Sequence, residues 1–385
     1  MRVLHIAQTI AGGIASFLDE IAPFQAGRYG AANVRFLISS GSEIHLTQVK
    51  PQQIATFAST ARTPASLLGF ARAALREIRE FAPDIVHLHS SFAGAVVRAA
   101  LPPGARRPRL VYCPHGWAFG MDVSPAKQRL YAGIERMLAR RTDIILCNSQ
   151  TEYDLAAGFD LPQGKMRVVA NGIAWTPPSR REARSGPLRL GFIGRHDRQK
   201  GLDILLDVID RFGLGEMQFE IIGDEVLHGG NGCGRPALHN VTFHGWLPRP
   251  AALTSLNGFD ALVIPSRWEA FGLVAIEAMR AGVPVLASNR GALPEVVGDG
   301  VAGRIFELED RDALGRLLAS LERDRLQALG LGARLRFEQR YLSSRMDELT
   351  SDAYDAIVGN APEHKKRSRW NAHRSTQTLE CANSG

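Results

Sequence analysis

The chain has little cysteine and no hydrophobic run long enough to cross a bilayer. Four of its 385 residues are cysteines, and no two have the spacing of a metal-binding pair: Cys113, Cys147, Cys233 and Cys381. This usage argues against a disulfide framework and for a reducing compartment. No segment reaches the roughly 20 apolar residues of a transmembrane helix. We therefore expect a cytoplasmic protein.

Aromatic residues are also sparse, at 7% of the chain, and the sequence has no aromatic-rich basic motif. The net charge of +7 alone would suit a nucleic-acid binder, but base recognition needs aromatic or motif support that is missing. The glycine-rich run at 228–234 lacks the lysine and the following hydroxyl of a P-loop. We interpret that run as a flexible insertion and expect no nucleic-acid partner.

Two hydrophobic cores fit a chain of this length with 45% apolar residues. Short apolar segments alternate with helical patterns in both halves, which favours an α/β fold of two doubly wound parallel sheets. The polar, proline-containing segment 175–187 predicts a linker between them. The predicted strands lie near residues 4–7, 34–38, 85–88, 110–113, 144–147, 166–169, 188–193, 219–222, 241–244, 261–264, 284–287 and 303–306.

The most informative residues are Glu269 and Glu277, which flank a predicted strand-to-helix connection. Glu277 falls within an apolar helix pattern, where an unpaired carboxylate would cost several kcal/mol, so we expect a polar group to meet it. A loop after the strand 261–264 would carry Glu269, and the following helix would project Glu277 into the same crevice. The amides of 271–273 would open that helix, where anions are favoured.

A second strand-to-helix turn is cationic. An apolar strand ends at Gly194, and Arg195 and Lys200 precede a helical pattern that begins at Leu202. Two cations beside a helix N-terminus can neutralise a diphosphate without a metal ion. A solvated basic loop is the alternative for this segment taken alone, but the two glutamates favour a ligand site.

Together these motifs resemble a retaining GT-B glycosyltransferase of family 4, also called group 1. The C-terminal motifs are the more specific, and the resemblance covers about residues 1–345. The matching residues, in order, are Gly12-Gly13, Asp84 to His89, His115-Gly116, Asn148-Ser149, Asn171-Gly172, Gly194-Arg195, Lys200-Gly201, Gly223-Asp224, Glu269 to Glu277 and Leu293 to Val297.

The resemblance implies a role for each matching residue. Arg195 and Lys200 would hold the donor diphosphate and stabilise it as it leaves, and Glu269 would bind hydroxyls of the donor sugar. Glu277 would bind the ribose, and His115 would lie beside the donor sugar or the acceptor. The other expected substrate contacts are Gly12, Gly13, Asn171, Gly194, Phe271, Gly272 and Leu273. No metal or other cofactor is expected, since the nucleotide diphosphate sugar is a substrate.

Three positions depart from the pattern of many relatives. Ile14 and Ala174 stand where acidic residues are common, and Arg290 replaces the first glycine of a pair with Gly291. The first two bear on acceptor contacts and on the hinge. Arg290 adds a cation near the expected mouth of the donor site, where it could meet a charged sugar or remain a surface residue.

The resemblance further implies two Rossmann-like domains, 1–174 for the acceptor and 188–345 for the nucleotide sugar, facing across a cleft. A helix at 346–360 would cross back to the first domain, and the basic tail 361–385 is predicted to be disordered. Basic amphipathic patterns at 72–79 and 136–141 suggest contact with an anionic membrane, although solvated helix faces would look the same.

The expected activity is retaining transfer of a sugar to a saccharide or polyprenyl-linked acceptor in cell-surface polysaccharide or exopolysaccharide synthesis. A catalytically silent nucleotide-sugar-binding subunit and a GT-B-like epimerase remain alternatives, because a fold does not fix a function. His87 and His89 alternate on one predicted strand, but two imidazoles do not make a zinc site. We predict that they pack in the interior.

Overall fold

The alternation of apolar strands and helices forms two parallel sheets in a computed structural model that describes residues 1–8, 10, 12–58, 63–104, 107–178, 185–224 and 238–359. The predicted tail 361–385, the glycine-rich run 228–234 and the middle of the linker, 179–184, lie outside the described residues. No helix among the described residues is both long enough and apolar enough to traverse a membrane.

The N-terminal sheet has the strand order β3-β2-β1-β4-β5-β6-β7 and is parallel throughout. Its strands are β1 Val3–Ala7, β2 Val34–Ser39, β3 Ile54–Phe57, β4 Ile85–His89, β5 Arg109–Cys113, β6 Ile144–Cys147 and β7 Met166–Val168. The helices are α1 Gly13–Tyr29, α2 Pro64–Phe81, α3 Ser91–Ala100, α4 Pro125–Ala139 and α5 Gln150–Gly158. Strands β1 and β4 are buried along their whole length, as expected for the centre of a sheet covered on both faces.

The C-terminal sheet has the order β10-β9-β8-β11-β12-β13 and is also parallel. Its strands are β8 Arg189–Ile193, β9 Gln218–Ile222, β10 Val241–Gly245, β11 Ala261–Ile264, β12 Val285–Ser288 and β13 Gly303–Phe306. The helices that follow are α6 Leu202–Phe212, α7 Arg249–Leu256, α8 Leu273–Arg280, α9 Leu293–Val297, α10 Ala313–Ala319, α11 Arg323–Arg340 and α12 Ser343–Val358.

These two sheets confirm the predicted fold class, with one strand missed. Six strands were expected in the first half, whereas β3 makes a seventh at the edge of the sheet. It has four residues, three of them partly or wholly accessible, so it lacks the continuous apolar run that marks the central strands. A short edge strand therefore gives little signal in the sequence.

Strand order also locates the crevice. In the C-terminal sheet β8 pairs with β9 on one side and β11 on the other. The strand order changes direction there, and ligands of open α/β sheets bind at the carboxyl ends of strands at such a point. The loops that follow β8 and β11 carry Lys200 and Glu269.

The chain crosses back to the first half through α12. The segment before it is tied to the end of the N-terminal half, because the amide of Ile173 donates to Tyr341 O (2.9 Å) and the amide of Ser343 donates to Ile173 O (3.0 Å). A Cβ at Gly172 would lie 2.4 Å from Leu342 O, so only glycine fits this approach. Helix α12 then packs on α1, with Tyr354 buried in the N-terminal core.

Candidate functional site

Lys200 and Glu269 meet across the switch point. Lys200 Nζ lies 2.5 Å from Glu269 Oε2, and their side chains are 20% and 10% exposed. The chain places them 69 residues apart, on the loops after β8 and β11. The sequence analysis predicted both residues as site residues but not this direct ion pair. An anionic ligand that binds Lys200 has to compete with the carboxylate.

The loop before Lys200 is held by its own side chains. Asp197 Oδ1 accepts from the Lys200 amide (3.1 Å), and Arg195 Nη2 contacts both Gln199 Oε1 (2.8 Å) and Asp197 Oδ2 (3.0 Å). The Arg195 side chain is 43% exposed. Gly194 precedes this turn, and a Cβ there would make ordinary contact with Lys200 Cγ at 3.5 Å.

The turn ends in a position that only glycine can occupy. Gly201 has φ +71°, and a Cβ on it would lie 2.0 Å from Pro265 O. This close approach joins the cationic loop to the end of β11. It fixes the start of α6 relative to the Glu269 loop, and thereby fixes the backbone position of Lys200.

Glu269 is positioned by its main chain. Its carbonyl accepts from the Ala292 amide (3.1 Å), and a Cβ at Gly291 would lie 1.9 Å from Glu269 O. Gly291 has φ +54°, a conformation that glycine adopts without strain. The second glycine of the usual pair is thus required here by geometry. Arg290, which stands in place of the first, forms an ion pair with Glu309.

The predicted amide donors follow at the start of α8. Gly272 has φ +90° and caps the helix that begins at Leu273. The Phe271 ring packs inward, edge-on to Tyr341 at 5.8 Å between centroids, so its main chain alone is left for a ligand. Leu273 reaches the other half of the molecule, 3.4 Å from an ideal Cβ on Gly13.

Glu277 has the polar partner that its helix position requires. Arg249 Nη2 lies 2.9 Å from Glu277 Oε1, and the carboxylate side chain is 13% exposed. Arg249 also acts electrostatically on Glu20 of α1, whose carboxylate accepts from the Ala174 amide (2.7 Å). Burial raises the pKa of Glu20, and Arg249 opposes that shift. A polar network thus joins both halves beside Glu277.

The two halves meet directly at Ala270. Its Cβ lies 3.2 Å from an ideal Cβ on Gly116, and its carbonyl accepts from Ser149 Oγ at 3.4 Å. Nearby, Glu295 accepts from the amides of Gln150 (2.9 Å) and Thr151 (3.0 Å) at the start of α5. The structure therefore brings Gly13 and the His115-Gly116 turn to the loop that carries Glu269.

Gly12 and Asn171 lie at the margins of this arrangement. Gly12 has φ +78° and caps α1, which explains the glycine by conformation. Asn171 is buried, and its Oδ1 has no partner among the described residues. Its neighbours Gly172 and Ile173 pack against the segment before α12, so Asn171 lies where the chain crosses back to the first half.

The imidazole of His115 is hydrogen-bonded within the N-terminal half. Its Nε2 lies 2.9 Å from His89 Nδ1, and its Nδ1 lies 3.2 Å from Asn148 Nδ2, so both ring nitrogens are engaged within the N-terminal half. Burial lowers the pKa of His115 to about 3. The predicted position beside the donor sugar or the acceptor stays a prediction, and the adjacent Gly116 contacts Ala270 of the other half.

His5 was not among the predicted site residues, and it joins His87 and His89 in a buried cluster. One nitrogen from each of the three rings lies within 4.8 Å of the others. The signal was available, because β1 and β4 pair in parallel with His5 opposite His87, and both strands contain a histidine in an apolar run. Cysteine and carboxylate ligands are not part of this group among the described residues.

A cavity of about 740 Å³ lies beside the Glu269 loop. One wall is the N-terminal segment 120–122, and the opposite wall includes Trp268 and Arg290. Several of its charged groups are paired, for example Arg267 with Asp203 at 2.6 Å. The lining has five carboxylates and three guanidinium groups, so the cavity is acidic, with the aromatic Trp268 in one wall.

Comparison with known proteins agrees with this geometry. Residues 11–174 match the model of glycosyltransferase family 4, and residues 178–339 match that of glycosyl transferases group 1. An uncharacterised 41.2 kDa protein in the cps region of Klebsiella pneumoniae is 33% identical over 332 residues, covering 83% of this chain and 90% of that protein. A D-inositol 3-phosphate glycosyltransferase of Kribbella flavida is 30% identical over 295 residues, covering 68% and 69%.

Among solved structures, HepE of Anabaena in complex with UDP-glucose is similar with a TM-score of 0.75 at 20% identity. The match covers 92% of this chain and all of that one, and it supports the fold. The two family models match in order on the two parallel-sheet halves. The chain therefore belongs to the group 1 glycosyltransferases, family 4 of the GT-B fold.

Proposed function

We propose that this glycosyltransferase moves a sugar from a nucleotide diphosphate sugar to an acceptor hydroxyl with retention at the anomeric carbon. The observation that carries the proposal is the Lys200–Glu269 pair at the switch point. Helix α8 begins four residues after Glu269, at Leu273, which lies 3.4 Å from an ideal Cβ on Gly13. A cation for phosphate, a carboxylate for sugar hydroxyls and free amides then share one crevice. The UDP-glucose complex of the similar HepE fold supports this class of donor.

Binding begins with an exchange of partners. The donor diphosphate takes Lys200 from Glu269, and the released carboxylate accepts hydrogen bonds from hydroxyls of the transferred sugar. Glu277 exchanges Arg249 for the ribose in the same way. Each acid and base is therefore paired before the donor arrives, which avoids an isolated charge in a half-buried site.

Chemistry then takes place on one face of the sugar. The bond between the anomeric carbon and the phosphate oxygen breaks, the acceptor oxygen forms the new bond, and the departing phosphate oxygen takes the acceptor proton. Lys200 and Arg195 stabilise the negative charge that develops on the diphosphate. Two fixed cations provide this charge stabilisation, so the proposal needs no metal ion.

For the acceptor we propose a lipid-linked or growing saccharide of a cell-surface polysaccharide. The relative in a cps region supports a polysaccharide role. The cavity beside Trp268 and Arg290 offers room for sugar units near Glu269, and residues 120–122 of the predicted acceptor domain form part of its wall. A lipid-linked acceptor also requires the enzyme to work at a membrane surface.

Helix α4 has the surface for that contact. Leu130, Ile134 and Met137 repeat at helical spacing and are 59%, 39% and 59% exposed. Exposed basic residues flank them: Lys127, Arg129, Arg136 and Arg140. An exposed apolar stripe with cations beside it is typical of a helix that lies in an anionic interface. Helix α2 lacks such a stripe, because Phe70, Ile78 and Phe81 pack in the core.

The test is release of nucleoside diphosphate from a panel of nucleotide sugars, with and without saccharide acceptors, followed by identification of the product. We expect release with at least one donor, and a product with the donor's anomeric configuration. An inverted product would exclude retention. A silent binding subunit would be protected against thermal unfolding by a donor without releasing diphosphate, and an epimerase would return an altered nucleotide sugar.

A further inference from the structure

Imidazoles from three segments form a continuous chain through the N-terminal core. His5 of β1 lies beside His89 of β4, with His5 Nδ1 and His89 Nε2 2.9 Å apart. His89 Nδ1 then lies 2.9 Å from His115 Nε2, on the turn after β5. Gln25 of α1 closes the inner end, with its Oε1 2.7 Å from His5 Nε2, and Asn148 closes the outer end at His115 Nδ1.

The two ends set the direction of every hydrogen bond. Gln25 Oε1 can only accept, so His5 Nε2 carries a proton and its Nδ1 must accept from His89. His89 therefore carries its proton on Nε2 and accepts at Nδ1 from His115 Nε2. The outer end agrees independently, because Asn148 Oδ1 accepts from Cys113 Sγ (3.1 Å) and Asn148 Nδ2 donates to His115 Nδ1.

This order requires each ring of the chain to be neutral. A second proton on any ring would place two donors against each other. Burial alone favours the neutral form: it lowers the pKa of His5 to about 4 and of His115 to about 3, and it lowers that of His89 well below its usual value. The directions of the hydrogen bonds and the burial of the rings thus both favour neutral imidazoles.

The same rings are poorly arranged for a metal ion. The rings of His87 and His89 are tilted by 34° with centroids 4.1 Å apart, so they contact each other directly. His5 and His89 already use facing nitrogens for each other. His87 Nδ1 contacts Tyr354 of α12 at 2.7 Å, and its Nε2 has no partner among the described residues.

The chain of imidazoles ends at the His115–Gly116 turn, which is strained and contacts the other half across the cleft. His115 has φ +51°, which is unfavourable for a residue with a Cβ. Gly116 follows and contacts Ala270 of the other half. On the far side, the buried Glu152 accepts from the amides of Asn148 (2.8 Å) and Gly116. The turn is therefore held from both sides, immediately next to Glu269.

We propose that Gln25, His5, His89, His115 and Asn148 form a one-directional chain of neutral imidazoles that positions the His115–Gly116 turn against Ala270. His5 and His89 are positioning residues. His115 serves the reaction through its main chain, and its imidazole neither donates a proton to the substrate nor accepts one. The kinetic part of this inference rests on the proposed function, whereas the protonation pattern does not.

The first test is a long-range ¹⁵N spectrum of the imidazoles in the wild-type protein. We expect His5, His89 and His115 to be protonated on Nε2 and not to titrate between pH 5 and 8. Asn148→Asp replaces the outer donor with an acceptor and should move the His115 proton to Nδ1 or make the ring titrate in that range. His239→Leu, which changes an exposed histidine in the other half, is the control and should leave the pattern of these three rings unchanged.

The second test separates position from chemistry. His89→Leu should lower kcat for diphosphate release roughly 10- to 100-fold with KM for the donor almost unchanged, since a displaced turn misaligns bound substrate. His89→Gln, which can accept from His115 and donate to His5, should recover most of the loss. His239→Leu, an exposed histidine in the other half, is the control and should retain full activity.

Three results would overturn the inference. One is an Nδ1 proton or a titration near neutral pH on any ring of the wild-type chain. Another is an equal loss of kcat in His89→Gln and His89→Leu. The third is stabilisation by Zn²⁺ with shifts confined to His5, His87 and His89, which would identify the cluster as a metal site. If no donor is turned over at all, the proposed function fails. The ¹⁵N spectrum still tests whether the three imidazoles have the proposed protonation.

Discussion

At the level of single residues, the site consists of charges that neutralise one another across long stretches of sequence. Lys200 pairs with Glu269, and Arg249 pairs with Glu277. The sequence predicted three of these four as site residues, because strand-to-helix turns and a carboxylate in an apolar helix are local patterns. Arg249 gave no local signal. Its role depends on the approach of α7 to α8, which only the folded chain shows.

Replacing Gly291 by alanine tests how Glu269 is held. A Cβ would lie 1.9 Å from Glu269 O, and φ is +54°, so the loop has to move. We expect kcat/KM for diphosphate release to fall at least about 10-fold, since small displacements at a reacting centre cost that much or more. Gly27→Ala in α1 is the matched control, because nothing lies within 4 Å of its Cβ position. Equal activity of the two variants would show that Glu269 is not positioned by this contact.

At the level of elements, the same pattern has different outcomes. Helices α2 and α4 both combine basic residues with an apolar periodicity, and the sequence could not tell a core face from an exposed one. Packing distinguishes the two helices, because the apolar face of α2 covers the sheet while α4 exposes Leu130, Ile134 and Met137. The central strands were predictable from their apolar runs. Edge strand β3 was not, because it is short and partly exposed. The histidines in the apolar runs of β1 and β4 were a signal for the His5 cluster, but only the pairing of these two strands shows that the rings meet.

Helix α4 gives a prediction for membrane binding. Leu130→Glu combined with Met137→Glu should reduce cosedimentation with vesicles containing anionic lipid by at least about 10-fold, since each buried apolar side chain contributes about 1.5–3 kcal/mol. Leu331→Glu on α11, where the leucine is 73% exposed, is the control. High salt should weaken wild-type binding as well. Unchanged binding of the double variant would remove α4 as the contact surface.

At the level of the whole molecule, the buried carboxyl group of Glu152 affects the pH dependence of stability. The same group holds the turn at the cleft, since it accepts from the amides of Asn148 and Gly116. Burial raises its pKa from 4.5 to about 7. A group that binds its proton more tightly in the folded state loses its contribution to stability as pH rises through that interval. His5 and His115 act in the opposite direction, because their lowered pKa values make the folded protein lose stability as pH falls below about 6.5.

Glu152→Gln isolates the carboxyl term. The glutamine stays neutral, so the variant should gain about 2–3 kcal/mol relative to wild type between pH 5 and pH 8, as a shift of this size implies. Urea unfolding of both proteins at the two pH values measures the difference. The histidine contribution is common to both proteins and cancels. A difference independent of pH would mean that Glu152 ionises normally.

The assignment of the diphosphate site is tested by calorimetric binding of the nucleoside diphosphate that is released from the best donor of the panel. Lys200→Ala should bind it about 10- to 150-fold more weakly than wild type, as expected for the loss of one charge-assisted contact of about 1.5–3 kcal/mol. Arg304→Ala, which breaks an exposed ion pair with Asp299, should bind like wild type. Equal affinity of Lys200→Ala and wild type would contradict the assignment of this cleft as the diphosphate site.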